Sequence, residues 1–263
     1  MRQARLLPSV DAMTTSPVAV SPVAVVTGAS RGLGQALADA LAASGYLLVI
    51  DARDSLALEA SAAAIRARHD LPLRSVLAIP GDITEPAHRA ALAAAAAEVG
   101  GASLLVNNAG TLGASPLPAM ADYPISELRT TFEINVVAPL ALTQLLLPDL
   151  RARGGAVLTV TSDAAIEAYA GWGGYGAAKA ALEQACNILA AEEPALRVWR
   201  VDPGDLRTRM HQQAFPGEDI SDRPLPEAVV PAFVRLITER MPSGRYRAPE
   251  LMPTTVAAAE ASP

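Results

Sequence analysis

Val23-Ala24-Val25-Val26-Thr27-Gly28-Ala29-Ser30-Arg31-Gly32-Leu33-Gly34 is the stretch on which the fold turns. Val23–Thr27 is a short apolar β-type run, and the residues from Leu33 to Ser44 read as a helix. The turn between them carries glycines at 28, 32 and 34. Glycine permits a tight turn and lets the backbone come close to a ligand. A helix starting directly after such a turn offers unpaired N–H groups and the positive end of its dipole, which suits a pyrophosphate. The spacing is G-x-x-x-G-x-G, with Ser30 where the commoner G-x-G-x-x-G pattern has its second glycine. A lone glycine motif is weak, but one lodged between strand and helix is stronger.

The same strand-then-helix unit recurs along the chain. Further strands are predicted at Tyr46–Asp51, Arg74–Pro80, Leu104–Asn107, Ala156–Thr161 and Leu196–Val201. Helices are predicted at Ser55–His69, Pro86–Val99, Ile125–Arg153 with a bend at Pro139, Gly173–Ala191 and Glu227–Arg240. This alternation predicts an α/β fold, a Rossmann-type doubly wound parallel sheet in a three-layer αβα arrangement, as a single domain over residues 22–251. Residues 1–21 and 252–263 read as disordered tails, with Met13 a second candidate start. The stretch Leu206–Leu225 is polar, proline-containing and aperiodic, the character of a lid or binding loop.

Composition narrows the function. A net charge of −6 and the absence of any Lys/Arg run argue against a nucleic-acid partner. One cysteine, Cys186, excludes an intrachain disulfide, and three scattered histidines give no metal-ligand spacing, so no metal is expected. The N-terminus lacks the layout of a signal peptide, and Val136–Leu150 is interrupted by Pro139, Thr143, Gln144 and Pro148. It is read as a buried helix of a soluble, cytoplasmic protein with no membrane partner. Of 21 Lys and Arg residues only one, Lys179, is a lysine.

Lys179 lies four residues after Tyr175 in a helical run, so both side chains project from one face. A phenol ordinarily titrates near pH 10, and an adjacent ammonium is expected to pull that value toward neutrality. Such a pair can act as acid and base for an alcohol/carbonyl couple. Four further pieces stand in order around it: the turn Thr27-Gly28-x-x-x-Gly32-x-Gly34, Asn107-Asn108-Ala109-Gly110, Asn135, and Pro203-Gly204, with Ser162 upstream of the pair.

With these five pieces, the chain resembles the short-chain dehydrogenase/reductase family in its compact form, over Val23 to Leu251. The resemblance implies an NAD(P)(H)-dependent oxidoreductase. It implies Tyr175 as general acid/base, Lys179 as its activator and a contact to the nicotinamide ribose, Ser162 as the group binding the substrate oxygen, and Asn135 as holder of a relay water. For the cofactor it implies Thr27, Gly28, Ser30, Arg31, Gly32, Leu33 and Gly34 at the pyrophosphate, Asp82 and Ile83 at the adenine, and Asn108, Ala109 and Gly110 beside the adenine ribose. Pro203, Gly204 and Thr208 are implied at the nicotinamide. The family's glycine-rich ending is replaced here by Gly244-Arg245-Tyr246-Arg247-Ala248, which puts the usual edge-strand dimer contact in doubt, although a homodimer or homotetramer is still expected.

Cofactor choice is read after the second strand, at Ile50-Asp51-Ala52-Arg53-Asp54. An acid facing the ribose would bind the 2′-hydroxyl of NAD(H), and an arginine a 2′-phosphate. Strand side chains alternate, so Asp51 is expected to point away, with Ala52 leaving room for a phosphate beside Arg31 and Arg53. NADP(H) is favoured; a strand slipped by one residue would put Asp51 on the ribose and favour NAD(H). The small-molecule substrate is expected among Thr111–Leu117, Ala164–Trp172 and Leu206–Phe215, where Leu112, Tyr169, Trp172 and Phe215 suggest an apolar or aromatic compound. A catalytically silent dinucleotide-binding regulator on the same fold is the alternative.

Overall fold

The computed structural model describes residues 21–252, so the two expected tails lie outside the described residues except for Ser21 and Met252. Among the described residues, seven strands form one sheet: β1 (Val23–Val26), β2 (Leu47–Ala52), β3 (Val76–Pro80), β4 (Leu104–Asn107), β5 (Ala156–Val160), β6 (Arg197–Asp202) and β7 (Gly244–Arg247). Their order is β3-β2-β1-β4-β5-β6-β7, and every neighbouring pair is parallel. The chain winds outward from β1 to one edge, returns, and winds to the other. The reversal lies between β1 and β4, where ligands bind in such sheets.

Both faces of the sheet are covered. On one, α1 (Gly32–Ala43), α2 (Ser55–Arg68), α8 (Val230–Thr238) and α9 (Ala248–Leu251) close over Ala24, Val26, Leu48, Ile50, Leu158 and Trp199. On the other, α3 (Pro86–Glu98), α5 (Ala138–Arg153) and α6 (Gly173–Glu192) pack on Val25, Val49, Leu105, Val157 and Val198. Strands buried on both faces read as continuous apolar runs, which is why β1, β4 and β5 stand out in the sequence.

Three elements differ from expectation. The helix expected at Ile125–Arg153 divides into α4 (Ile125–Phe132), a π-helical turn at Glu133–Val137, and α5. The irregularity therefore precedes Pro139, which sits in the first turn of α5, where a missing N–H costs little. By length and composition Ile125–Arg153 is apolar enough to cross a membrane. In this fold Ala138, Leu142, Leu146 and Leu150 pack into the core, while Val137 and Leu145 stay about half exposed, so the helix is buried on one face only. The stretch read as an aperiodic lid contains a short helix, α7 (Arg209–Ala214), and a single-turn 3-10 helix at Pro226–Ala228 precedes α8. Strand β7 was not expected: Gly-Arg-Tyr-Arg has no apolar alternation, and only pairing to β6 makes it a strand.

Candidate active site

A cleft of about 990 Å³ opens along the C-terminal ends of the strands. Its lining includes every residue assigned from the sequence to cofactor or chemistry except Thr27 and Asn135. Those two are buried behind the wall. Thr27 Oγ1 accepts from the N–H groups of Asn108 and Ala109, both at 3.0 Å, and so ties the end of β1 to the end of β4. The Asn108 side-chain amide returns the tie, donating to the carbonyls of Thr27 at 2.8 Å and Gly28 at 3.2 Å. Thr27 therefore shapes the glycine turn and makes no part of its surface.

The turn itself needs its glycines. Gly28 and Gly32 have φ of +69° and +57°, in the left-handed region. Gly34 has ordinary helical geometry, but a Cβ there would lie 2.3 Å from the Gly28 carbonyl oxygen. The start of α1 thus presses directly on the turn, leaving its first N–H groups facing the cleft. Arg31, at the helix N-cap, reaches Asp54 at 3.4 Å, and both are about half exposed. Asp51 is buried at the cleft wall, with both carboxylate oxygens occupied: its Oδ1 accepts from the Gly28 N–H at 2.8 Å, and its Oδ2 lies 3.1 Å from His88 Nε2. Ala52 and Arg53 follow on the cleft wall. At the far end Asp82 accepts from the Thr84 N–H and hydroxyl at 2.9 and 2.8 Å, which hold its carboxyl below the usual range, and Ile83 is buried beside it.

Ser162, Tyr175 and Lys179 meet where β5 ends against α6. Ser162 Oγ donates to Asp163 Oδ1 at 2.9 Å and accepts from the Ala164 N–H at 3.2 Å. Lys179 Nζ donates to the Val160 carbonyl at 2.9 Å and stands 5.6 Å from the centre of the Tyr175 ring. Burial lowers the Lys179 ammonium to about 8, although Cys186 and Glu183 work the other way. Burial also raises the Tyr175 phenol; the neighbouring Ser162 hydroxyl lowers it, and the Asp202 and Asp163 carboxylates raise it further. Lys179 is expected to pull the phenol toward neutrality; burial acts the other way and is the largest influence on Tyr175 in this fold. Asn135 is 1% exposed and its amide is tied to Thr111, donating to the carbonyl and accepting from the N–H, both at 2.8 Å. One N–H and one lone pair of the amide remain beyond these two bonds.

Beyond Tyr175 the cleft is apolar. Leu112, Ala164, Tyr175 and Ala214 form a small cluster with Leu117, Trp172, Met210 and Phe215 against it. Trp172 meets Tyr175 edge-on at 5.8 Å between ring centres and Phe215 at 6.0 Å. Gly204 (φ +72°) follows Pro203 and donates its N–H to Asp202 Oδ1 at 2.9 Å. Thr208 caps α7, accepting from the His211 N–H at 3.2 Å, and faces Gly32 across the cleft.

A model of the short chain dehydrogenase family matches residues 22–219. The chain belongs to the short-chain dehydrogenase family. A sepiapterin reductase from Meriones unguiculatus is 37% identical over 212 residues, 73% of this chain and 77% of that protein. A rhamnolipids biosynthesis 3-oxoacyl-[acyl-carrier-protein] reductase from Pseudomonas aeruginosa is 32% identical over 243 residues, 88% of this chain and 85% of that protein. Among solved structures, an alcohol dehydrogenase from Thermococcus sibiricus complexed with 5-hydroxy-NADP aligns with a TM-score of 0.77 at 26% identity, over 86% of this chain and 95% of its own. A Shigella flexneri protein of short chain dehydrogenase type, complexed with NADP, aligns with a TM-score of 0.80 at 29% identity, over 87% and 97%. This dehydrogenase is thus an NAD(P)-dependent oxidoreductase on a Rossmann-type fold.

Several residues of the site carry no sequence signal. Arg245 of β7 donates to Glu183 at 3.0 Å, to the Ser162 carbonyl at 3.1 Å and to Asp202 at 3.3 Å. It thereby ties the ends of β5 and β6 to the middle of α6 under the short-chain dehydrogenase site. Glu183 also accepts from the Thr161 hydroxyl at 2.7 Å. Asp163 fixes both Ser162 and Tyr169, whose hydroxyl donates to it at 3.0 Å. An arginine in a polar four-residue strand looks like surface from sequence alone; only the approach of β7 to β6 puts it beneath the chemistry.

Proposed function

We propose that this dehydrogenase reduces a small apolar or aromatic carbonyl compound with NADPH, using Tyr175 as proton donor. The observation that carries the reading is a buried phenol beside Ser162 and Lys179, on the wall of an aromatic-lined cleft. The glycine turn fits a dinucleotide, because its missing Cβ atoms and the start of α1 leave backbone N–H groups open to a pyrophosphate. Gly28, Ser30, Arg31, Gly32, Leu33 and Gly34 would hold that part, Asp82, Ile83, Asn108, Ala109 and Gly110 the adenosine half, and Pro203, Gly204 and Thr208 the nicotinamide half. When bound, the cofactor supplies the hydride.

The chain's own residues would supply position and the proton. Ser162 Oγ binds the carbonyl oxygen. Tyr175 gives that oxygen its proton as negative charge develops on it, since an alkoxide is a much stronger base than a phenolate. Lys179, charged below about pH 8, then stabilises the phenolate left behind. Its contribution falls after proton transfer, which reconciles its presence with a phenol whose resting affinity for the proton is high. A relay water beyond Lys179 would be held at Asn135, in the π-helical turn Glu133–Val137.

NADPH is favoured because Asp51 is engaged by Gly28 and His88, while Ala52, Arg31 and Arg53 line the cleft where a 2′-phosphate would lie. The NADP-bound neighbours accord with this choice. The same reading includes self-association through α5 and α6. The experiment is oxidation of NADPH and NADH against a panel of aromatic and aliphatic carbonyl compounds. NADPH-dependent turnover of at least one aromatic carbonyl is expected. No turnover, with cofactor bound, would instead make the protein a dinucleotide-binding regulator.

A further inference from the structure

We infer that His88 is a positioning residue that sets cofactor preference, by holding the Asp51 carboxylate off the ribose side of the cleft. The inference rests on the NADPH reading above. Asp51 is an acid near the end of β2, close to where an acid selects NAD, yet it is 2% exposed and both of its oxygens are occupied. Gly28 N–H holds Oδ1 and His88 Nε2 holds Oδ2. The His88 side chain, 7% exposed, comes from α3, across β2 from the glycine turn. Its ring has a prepared seat: a Cβ on Gly81 would lie 2.3 Å from His88 Nδ1, so only glycine at 81 leaves the imidazole in place. The Asp51 backbone is fixed as well, its carbonyl accepting from the Ala29 N–H at 2.9 Å.

The backbone thus keeps Asp51 at the cleft wall, and the Gly28 N–H and His88 hold its carboxylate from two sides, so that loss of His88 frees Oδ2. A buried carboxylate stripped of one of two partners turns toward the nearest solvent. For Asp51 that is the cleft, whose wall it already forms. There it would accept from a 2′-hydroxyl and repel a 2′-phosphate.

Calorimetric titration of the intact protein with NADP⁺ and NAD⁺ tests this without turnover. Wild type is expected to bind NADP⁺ more tightly. His88→Leu should move the affinity ratio toward NAD⁺ by about tenfold or more, whereas His88→Gln, which keeps a donor, should stay within about threefold of wild type. Asp51→Asn should also leave the ratio within about threefold, and added to His88→Leu should abolish the shift. A His88→Leu protein with the wild-type ratio, or a shift that survives Asp51→Asn, overturns the role of His88 and leaves the NADPH reading standing. If His88→Leu does not fold, Asp51→Asn decides alone: tightening for NADP⁺ by about tenfold would mean the carboxylate already faces the phosphate. Tighter binding of NAD⁺ by wild type would overturn the cofactor reading itself, before any variant is made.

Discussion

Burial acts on Tyr175 and Lys179 in opposite senses, because it disfavours the charged form of each. It raises the phenol and lowers the ammonium. If Tyr175 is the proton donor, Tyr175→Phe changes little volume, so cofactor binding should survive while kcat falls by roughly 10²–10⁴-fold. A stopped assay with saturating NADPH, alongside a binding titration, separates the two. On the proposed mechanism the lysine would set the pH dependence. Its lowered value means that it is charged below about pH 8 and neutral above, so reductive kcat should hold on the acid side and decline as pH rises through about 8. Lys179→Arg should lose most activity, since a planar, forked guanidinium cannot sit where Nζ meets the Val160 carbonyl beside the phenol. What activity remains should lack the decline near pH 8, because arginine stays charged; an unchanged kcat and profile would show that charge alone suffices.

At the scale of elements, the site depends on contacts between segments far apart in the chain. Gly34 is a case in which helical φ and ψ would admit any residue, yet a Cβ would strike the Gly28 carbonyl and the Asn108 amide. Gly34→Ala should therefore cost about 1–3 kcal/mol and weaken cofactor binding, measured by thermal melts with and without NADP⁺. Strand β7 matters through Arg245. With Arg245→Met, Glu183 and Asp202 are left without their main cation, 10% and 3% exposed respectively. Breaking a buried pair in this way costs about 3–5 kcal/mol, so a melting temperature lower by roughly 6–12 °C or more is expected. A variant that melted with wild type would show that the arginine is no brace. The motifs on α1, β4 and α6 were legible because each is a fixed short spacing on one element. Arg245, His88 and Asp163 were not, because their importance lies in what another element brings to them.

At the scale of the whole molecule, Val137 and Leu145, at the start of α5 and within it, and Ile188 of α6 are each about half exposed on the same side of the sheet. If that face pairs with a second copy, light scattering should give a mass that is a multiple of the 27.2 kDa chain, and Leu145→Arg should lower it toward a single chain. A wild-type mass near 27.2 kDa at micromolar concentration would remove the pairing. The sequence by itself determined the alternation of strands and helices, the glycine turn between β1 and α1, and the Tyr175–Lys179 pair, since apolar periodicity and short spacings are local properties of a chain. The tertiary structure alone buries Tyr175 and Lys179 together, ties the Asn135 amide to Thr111, sets His88 against Asp51, and makes a polar tetrapeptide into β7. Desolvation, hydrogen-bond partners and strand pairing arise between segments distant in sequence, and no local pattern encodes them.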